Sequence, residues 1–284
     1  MGKFIPLGVQ HIPDDIKAGV EKYFSIIRMT WIQALEYKAN VVVGAFAIMS
    51  GVFIEYFLWK RIFITRGISE INGFTFKALM VYIFLCLIVG QLKSSWVTAL
   101  EMIDGIREGE LNKYLIRPIS YYFYHFSLFI GHNSLFYFIY FLMLIILPFA
   151  LPGWAFNTVG QVAGFLATLT ISIYLSYSIY FIMVCISFWF GEARAILIAY
   201  NLANLILSGQ MIPLRLFPPS MLSIIEMTPL PYLVDVPVSI ATGVLPEELW
   251  LMSLVKGLIW SVITTIIGFW IYRLGIRRYE GFGG

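Results

Sequence analysis

The chain has 284 residues, of which 60% are hydrophobic, 17% are aromatic and only 12% are charged, with a formal net charge of +3. A soluble domain usually has about 25% charged and about 45–50% apolar residues. Because much of a globular surface must be polar or charged, a water-soluble domain of this size could not cover so much apolar surface. The composition excludes a soluble enzyme, a disordered chain and a nucleic-acid-binding protein, and it predicts an integral membrane protein.

Residues 14–37 form the first predicted element, an amphipathic helix. Apolar side chains recur at three- and four-residue spacing, and charged side chains such as Lys22 and Arg28 take most of the opposite face. Asp14 and Asp15 stand at the predicted start, where the helix dipole favours negative charge. Such a helix is typical of the cytoplasmic membrane surface, in the plane of the membrane. The alternative is a soluble helix packed on a partner at the same face.

Six segments are apolar and long enough to cross a bilayer, which takes roughly 20 helical residues. No Asp, Glu, Lys or Arg occurs from Pro118 to Gly191, and a break at residues 151–154 divides this stretch into two spans. A short polar hinge at residues 191–194 precedes the fifth span. The predicted spans cover residues 41–59, 73–92, 127–150, 161–190, 195–212 and 249–272.

The most polar part of the chain lies between the second and third predicted spans. Its apolar residues, Leu111 and Leu115 among them, could line one side of a short helix interrupted at Gly105 and Gly109, with mixed charges around that side. A solvated cytoplasmic turn and a docking element for a soluble partner fit the pattern equally well. Apolar side chains in a charged setting suit a groove on another protein.

The segment after the fifth predicted span is too apolar for an ordinary outer loop and is broken too often by proline for a span. Short helical pieces that re-enter the outer leaflet fit this pattern, because irregular backbone is tolerated there where protein or a water-filled cavity covers it. The residues that mark this predicted re-entrant segment are Pro213, Phe217, Pro218, Pro229 and Pro231.

The distribution of Lys and Arg predicts the orientation. With the N-terminus inside, 13 of them lie in the predicted cytoplasmic segments, and only Lys60, Arg61, Arg66 and Arg215 lie in the outer ones. The positive-inside rule then predicts a multi-pass protein of the cytoplasmic membrane with both termini in the cytoplasm. The cluster from Lys60 to Arg66 is a local exception.

Two charged residues, Glu55 and Lys77, fall within predicted spans. Ionisable groups at such depth usually face a cavity or each other. Both lie toward the outer ends of adjacent spans, which predicts an ion pair near the headgroups; contact with a transported compound is the alternative. His125 and His132 are two turns apart on one helical face, and they indicate a polar seam because no carboxylate or thiol nearby completes a metal site.

The order of these elements resembles the permease subunit of a type-2 ABC transporter. Gly109-Glu110-Leu111, followed by Leu-Ile-Arg-Pro-Ile-Ser at residues 115–120, resembles that family's Gly-x-Leu…Leu-x-x-Pro-x-Ser signature at the third span. Ser208-Gly209, then Ile-Pro-Leu at residues 212–214 and Phe217-Pro218, resembles its motif after the fifth span. The ending at residues 277–284 is similar to that of a small bacterial branch, some of whose members are labelled viologen or drug exporters.

The resemblance implies an all-α membrane protein with one permease domain over residues 1–284. It assigns an interfacial elbow helix to residues 14–37, a cytoplasmic coupling helix to about residues 101–115 and a re-entrant pair to residues 213–232. It also implies two cytoplasmic ABC ATPase subunits, a second identical or similar permease, and surrounding membrane lipids. The coupling residues that it implies are Glu101, Asp104, Gly105, Ile106, Arg107, Glu108, Gly109, Glu110, Leu111, Leu115 and Arg117.

A phosphate-binding loop needs Gly-x-x-x-x-Gly-Lys-Ser/Thr, and the nearest string, at residues 90–95, lacks this spacing. The chain is therefore predicted to bind no cofactor and to hydrolyse no ATP; ATP and Mg would bind to the separate ATPase. The predicted function is ATP-driven export of an amphipathic or hydrophobic compound across the cytoplasmic membrane. The alternative is a channel or membrane scaffold without an ATPase partner.

Overall fold

The computed structural model describes residues 12–36, 38–117, 119–150, 155–190 and 193–279. The regular structure within these ranges is helical apart from a small antiparallel hairpin of β1 (Glu70–Ile71) and β2 (Phe74–Thr75). Turns of 3-10 helix lie at Ile186–Phe188, Leu214–Leu216, Leu230–Leu233 and Glu247–Leu249. The α-helices are α1 (Ile12–Glu36), α2 (Lys38–Arg66), α3 (Phe76–Leu92), α4 (Trp96–Arg107), α5 (Asn112–Leu115), α6 (Tyr121–Ala150), α7 (Val159–Cys185), α8 (Ala193–Leu207), α9 (Pro219–Ile225), α10 (Asp235–Ala241) and α11 (Trp250–Ile276).

Four helical passages in the described ranges are long and apolar enough to cross a membrane. They are Phe76–Arg107, Tyr121–Ile146, Val159–Phe188 and Glu247–Ile276, and they contain most of the predicted second, third, fourth and sixth spans. The first predicted span falls within α2, which has 29 residues, and the fifth begins within α8, which has 15 residues. The protein is therefore an all-α membrane protein, and the count of six spans stays a prediction.

The predicted second span differs from the structure at both ends. Its first three residues belong to the hairpin, where Asn72 and Gly73 adopt positive φ angles as a tight turn requires, and Thr75 caps the start of α3 through its hydroxyl oxygen. At its other end a short turn leads directly into α4, so that the passage continues to Arg107 over 32 residues. Residues 101–107, the first part of the predicted coupling helix, are helical and belong to this passage.

The long helices α7 and α11 form the centre of the fold. They run parallel and approach closely at glycines of α11: a Cβ built on Gly257 would lie 3.1 Å from Ile171, and one built on Gly268 would lie 3.0 Å from Phe181. Small residues at such crossings let membrane helices pack closely. The hydroxyl groups of Ser178 and Thr265 also lie 3.2 Å apart across the contact.

The first helix, α1, runs side by side with α6 in the same direction. Tyr23 packs against Phe123 with ring centroids 6.1 Å apart, and Thr30, seven residues later, lies against Gly131. From the first contact to the second, the chain advances by nearly the same number of residues on both helices, so the helices cross at a small angle. The helix α1 therefore packs lengthwise along α6, and its predicted orientation in the membrane plane stays a prediction. The close approach at Gly131 holds α1 along α6, and periodicity alone cannot reveal such a contact.

The helix α8 ends at Leu207, five residues before the predicted end of the fifth span. Gly209 has a φ of +80°, and the Met211 N–H donates to the carbonyl oxygen of Leu205, which closes the helix. The predicted span is too long because the apolar run continues past this glycine into a turn.

The predicted re-entrant segment runs along α3 and then returns. The Cys86 thiol lies 3.5 Å from the carbonyl oxygen of Gly209, and Asn72, beyond the start of α3, donates to the carbonyl oxygen of Arg215. The chain then comes back to Tyr82, whose hydroxyl donates to Asp235. Pro213 and Pro231 are buried, Phe217 is half-buried, Pro218 precedes α9 and Pro229 precedes a 3-10 turn. Entry of this segment into the bilayer stays a prediction.

Candidate functional site

The turn between α4 and α5 lies where the sequence predicts a docking element. The helix α4 ends at Arg107, and the N–H of Glu110 donates over 2.8 Å to the carbonyl oxygen of Gly105. Gly109 has a φ of +81°, a conformation that glycine adopts without steric cost. The predicted break at Gly109 is thus present, whereas Gly105 lies inside α4 and does not interrupt it. We call residues 107–117 the loop tip.

Alanine substitutions at the two glycines are expected to have opposite effects. At Gly109 a Cβ in the left-handed region costs about 1–2 kcal/mol. At Gly105, whose added Cβ would meet the Glu110 side chain at an ordinary 3.6 Å, alanine is expected to gain about 0.5–1 kcal/mol because glycine weakens a helix. Thermal unfolding of Gly109→Ala and Gly105→Ala in uncharged detergent measures both. Equal destabilisation by the two variants would contradict this assignment of the turn.

The apolar residues of this region divide into two groups. Ile103, Ile106 and Leu111 are buried in a core shared with α6, α7 and α8. These three residues therefore face this chain's own interior and do not share an exposed face with Leu115. Leu115 is 47% exposed and Ile116 is 84% exposed.

Charged side chains surround the exposed apolar pair. Arg107, Glu108, Glu110, Lys113 and Arg117 are all exposed in the loop tip. Within this group Lys113 and Glu110 form an ion pair of 2.5 Å. The arrangement presents Leu115 and Ile116 on a surface whose surrounding charges have both signs. Sequence analysis had left Ile116 out, although the absence of any apolar partner four residues away could have indicated its exposure.

The loop tip is anchored to the bundle through Tyr114. Its ring packs against those of Tyr121, Tyr124 and His125, with centroids 5.0–5.4 Å apart. Burial is the main cause that raises the pKa of the Tyr114 phenol, and the neighbouring Tyr124 raises it further. The hydroxyl therefore stays protonated at any physiological pH, and α5 is held against the start of α6.

An ion pair connects α4 to the start of α8. The Arg194 guanidinium donates to the Asp104 carboxylate, and both side chains are partly exposed. Such pairs stabilise a protein by about 0–1 kcal/mol. This contact therefore contributes more to the orientation of α4 relative to α8 than to the stability of the fold. Of the remaining assigned residues, Glu101 is exposed on α4 and lines a cavity of about 640 Å³ with Glu36, His132 and Asn133.

The predicted ion pair between Glu55 and Lys77 is not formed. The Glu55 carboxylate instead accepts a 2.9 Å hydrogen bond from the indole N–H of Trp59, one turn away on α2. Lys77 is exposed and lines a separate cavity with Asn157. Helical spacing within α2 gives Glu55 a nearer partner than the next helix does. Contact of either residue with a transported compound stays a prediction.

Of the two histidines predicted to form a polar seam, His125 has a local partner. His125 is buried, and its Nδ1 lies 3.0 Å from the carbonyl oxygen of Tyr121 on the preceding turn. In the part of the chain that the structure describes, no three His, Cys, Asp or Glu side chains are grouped so as to hold a metal ion.

The sequence pattern does not reveal that Lys93 is buried. It lies at the turn between α3 and α4 and is only 2% exposed, and its placement on the cytoplasmic side stays a prediction. The apolar periodicity that resumes at Trp96 was the available signal that the passage continues beyond Lys93.

Comparison with known families agrees with this architecture. The family model described as ABC-2 family transporter protein matches residues 41–283, which is most of the chain. No curated protein matches the sequence. The matched residues include the candidate spans, the loop tip and the proline-rich segment after α8. The chain therefore belongs to the ABC-2 family of transporter proteins, as a transmembrane permease.

Proposed function

We propose that this permease is the membrane subunit of an ATP-driven exporter, and that a separate cytoplasmic ATPase docks at its loop tip. The observation that carries the proposal is the exposure of Leu115 and Ile116 inside a ring of charges of both signs. Burying one such side chain in a partner contributes about 1.5–3 kcal/mol. The surrounding charges would set the register of the partner, since interfaces combine an apolar centre with a polar rim.

The contacts of α4 support a coupling role for the loop tip. Ala99, Met102 and Ile103 are buried in the bundle, so α4 is packed along one face against its neighbours. Asp104 joins it to α8 through Arg194. A displacement of the loop tip would therefore move α4 together with the start of α8. ATP binding would have to favour one packing of the bundle over another by a few kcal/mol.

In this proposal two permeases, identical or similar, enclose the pathway, and two ATPases bind ATP and Mg. The compound exported in this proposal is amphipathic or hydrophobic, as the resemblance to drug exporters implies. Both termini would lie in the cytoplasm. The second candidate is a channel or scaffold that works without an ATPase.

Substitution of Ile116 by aspartate is expected to remove the ATPase without unfolding the permease. Tagged wild-type protein is purified from its native host and the co-purifying proteins are quantified. Ile116→Asp should reduce the ATPase at least tenfold, since loss of about 1.4 kcal/mol has this effect. The matched control is Val159→Asp, because Val159 is 85% exposed at the opposite end of the bundle and should leave the ATPase unchanged.

Two results would contradict the proposal. Stoichiometric ATPase on Ile116→Asp would exclude the loop tip as the docking site. If no ATPase accompanies the wild-type permease, the channel or scaffold function is favoured instead. Membrane insertion of all three proteins is compared by quantifying them in the membrane fraction.

A further inference from the structure

Lys93 is a buried lysine for which the described residues supply no partner. Its side chain is 2% exposed, and no hydrogen bond or ion pair joins its Nζ to a described group. Removing an ammonium group from water costs several kcal/mol unless another charge or hydrogen-bond acceptors compensate it. An ionisable residue inside a membrane passage also indicates a functional site. Lys93 therefore lacks a compensating charge among the described residues.

A cavity of about 370 Å³ adjoins Lys93. Amide side chains contribute much of its polar lining, and its described lining includes no Asp or Glu. A ligand bound there would meet one positive charge and several N–H donors, with no carboxylate to repel an anion. The amides come from three parts of the chain: Gln91 on α3, Asn201 and Asn204 on α8, and Gln210 in the turn after α8.

The contacts of these amides leave polar groups facing the cavity. The hydroxyl of Tyr180 donates to Oδ1 of Asn201, so the Nδ2 group of Asn201 remains as a donor. Oδ1 of the buried Asn204 has no hydrogen-bond partner among the described groups, and as an acceptor it suits the O–H of a protonated headgroup or the Lys93 ammonium. Gln210 reaches the cavity only because residue 90 is glycine: a Cβ there would lie 2.3 Å from Gln210 Nε2. The site is thus built from polar groups of two helices and a turn, of which Lys93 and Asn204 are buried.

The remaining walls are apolar. Ile48 of α2, Leu87 of α3 and Leu205 of α8 line the same cavity. Leu202, also in the lining, is 61% exposed, and α2 presents large apolar side chains such as Phe46 and Met49 outside the cavity. A hydrocarbon chain could therefore extend from the cavity between α2 and α8.

We propose that Lys93 and these amides bind the acidic headgroup of an amphipathic anion, whose hydrocarbon chain lies between α2 and α8. If the bound anion is the transported compound, this inference rests on the proposed transport function. It then narrows the exported compounds to those that carry a negative charge. A transported amphiphile and an anionic membrane lipid share this chemistry.

The test is calorimetric binding to the purified full-length permease in uncharged maltoside detergent, without an ATPase. Dodecyl phosphate is the anionic probe and dodecyltrimethylammonium is its cationic counterpart. Saturable binding of dodecyl phosphate is expected for the wild type and for the control Lys60→Gln, because Lys60 is exposed and does not line this cavity. At least tenfold weaker binding is expected for Lys93→Gln. Lys93→Arg should retain most of the affinity. The cationic probe should not bind.

A second measurement keeps the result interpretable. The empty Lys93→Gln variant should unfold at no lower temperature than the wild type, because the substitution removes an uncompensated charge. Equal affinity of the wild type and Lys93→Gln for dodecyl phosphate, or saturable binding of the cationic probe, would overturn the proposal. So would a marked loss of stability in the empty variant, since it would mean that Lys93 has a structural partner.

Competition distinguishes the two sources of the anion. Dioleoyl phosphatidylglycerol that displaces dodecyl phosphate in a Lys93-dependent manner supports a lipid occupant, and failure to displace it supports a transported single-chain amphiphile. Because the assay contains no ATPase, failure at Lys93 leaves the docking experiment at Ile116 unaffected.

Discussion

Replacing Leu111 with aspartate is expected to lower the free energy of unfolding by about 3–5 kcal/mol, because an uncompensated charge would replace a buried side chain. Leu111 is 1% exposed and packs in the core that contains Ile103, Ile106 and Tyr121. For a chain of this size the loss corresponds to a fall of roughly 10 °C in the unfolding temperature. The substitution therefore tests the fold, although the motif that contains Leu111 first indicated a docking residue.

The matched control is Ile116→Asp, five residues further along the same turn. Ile116 is exposed, so aspartate there should change the free energy of unfolding by no more than about 0.5 kcal/mol. Thermal unfolding of both variants in the same detergent gives the comparison. If Leu111→Asp proves as stable as Ile116→Asp, Leu111 does not face the interior as described.

Replacing Gly131 with alanine is expected to weaken the contact between α1 and α6. The added Cβ would lie 2.6 Å from Thr30 Cβ and 3.2 Å from the Ile27 carbonyl oxygen. Neither of these atoms can move without shifting the backbone of α1, so α1 must be displaced. Overpacking of this kind costs about 1–3 kcal/mol. Limited proteolysis should accordingly cleave α1 faster in Gly131→Ala than in the wild type.

Gly51→Ala is the corresponding control in α2. Its Cβ would lie 3.4 Å from a flexible methyl group of Leu87, which is an ordinary contact. Alanine is a better helix former than glycine, so this variant should equal or exceed the wild type in stability by up to about 1 kcal/mol. Unchanged proteolysis of α1 in Gly131→Ala would show that α1 does not depend on this contact.

Much of the helical framework could be predicted from the sequence because a span in lipid is apolar on nearly every side. Four of the predicted spans correspond to long apolar passages, even though their ends differ by several residues. The break at Gly109 was also predicted from the sequence, and its backbone has the positive φ that favours glycine. Boundaries such as that of α4 were not, because a packed amphipathic helix and a polar loop have similar compositions.

The candidate site depended more on tertiary contacts. The pattern of apolar and charged residues around Leu111 could not tell whether the apolar face meets this chain's core or a partner, since both require the same periodicity. Glu55 has its hydrogen bond to Trp59 within one helix, and the direction of α1 follows from a single close approach at Gly131.

The 12% charge content by itself determined that this protein belongs in a membrane, because apolar surface on this scale cannot be covered in water. The location of each charge in space was decided only by the tertiary structure. Lys93 directly follows the predicted second span, and it is buried because α4 continues the helical passage beyond it and α8 brings Asn204 to the same cavity. The burial of a side chain depends on how several helices pack together, so the local sequence around Lys93 does not reveal it.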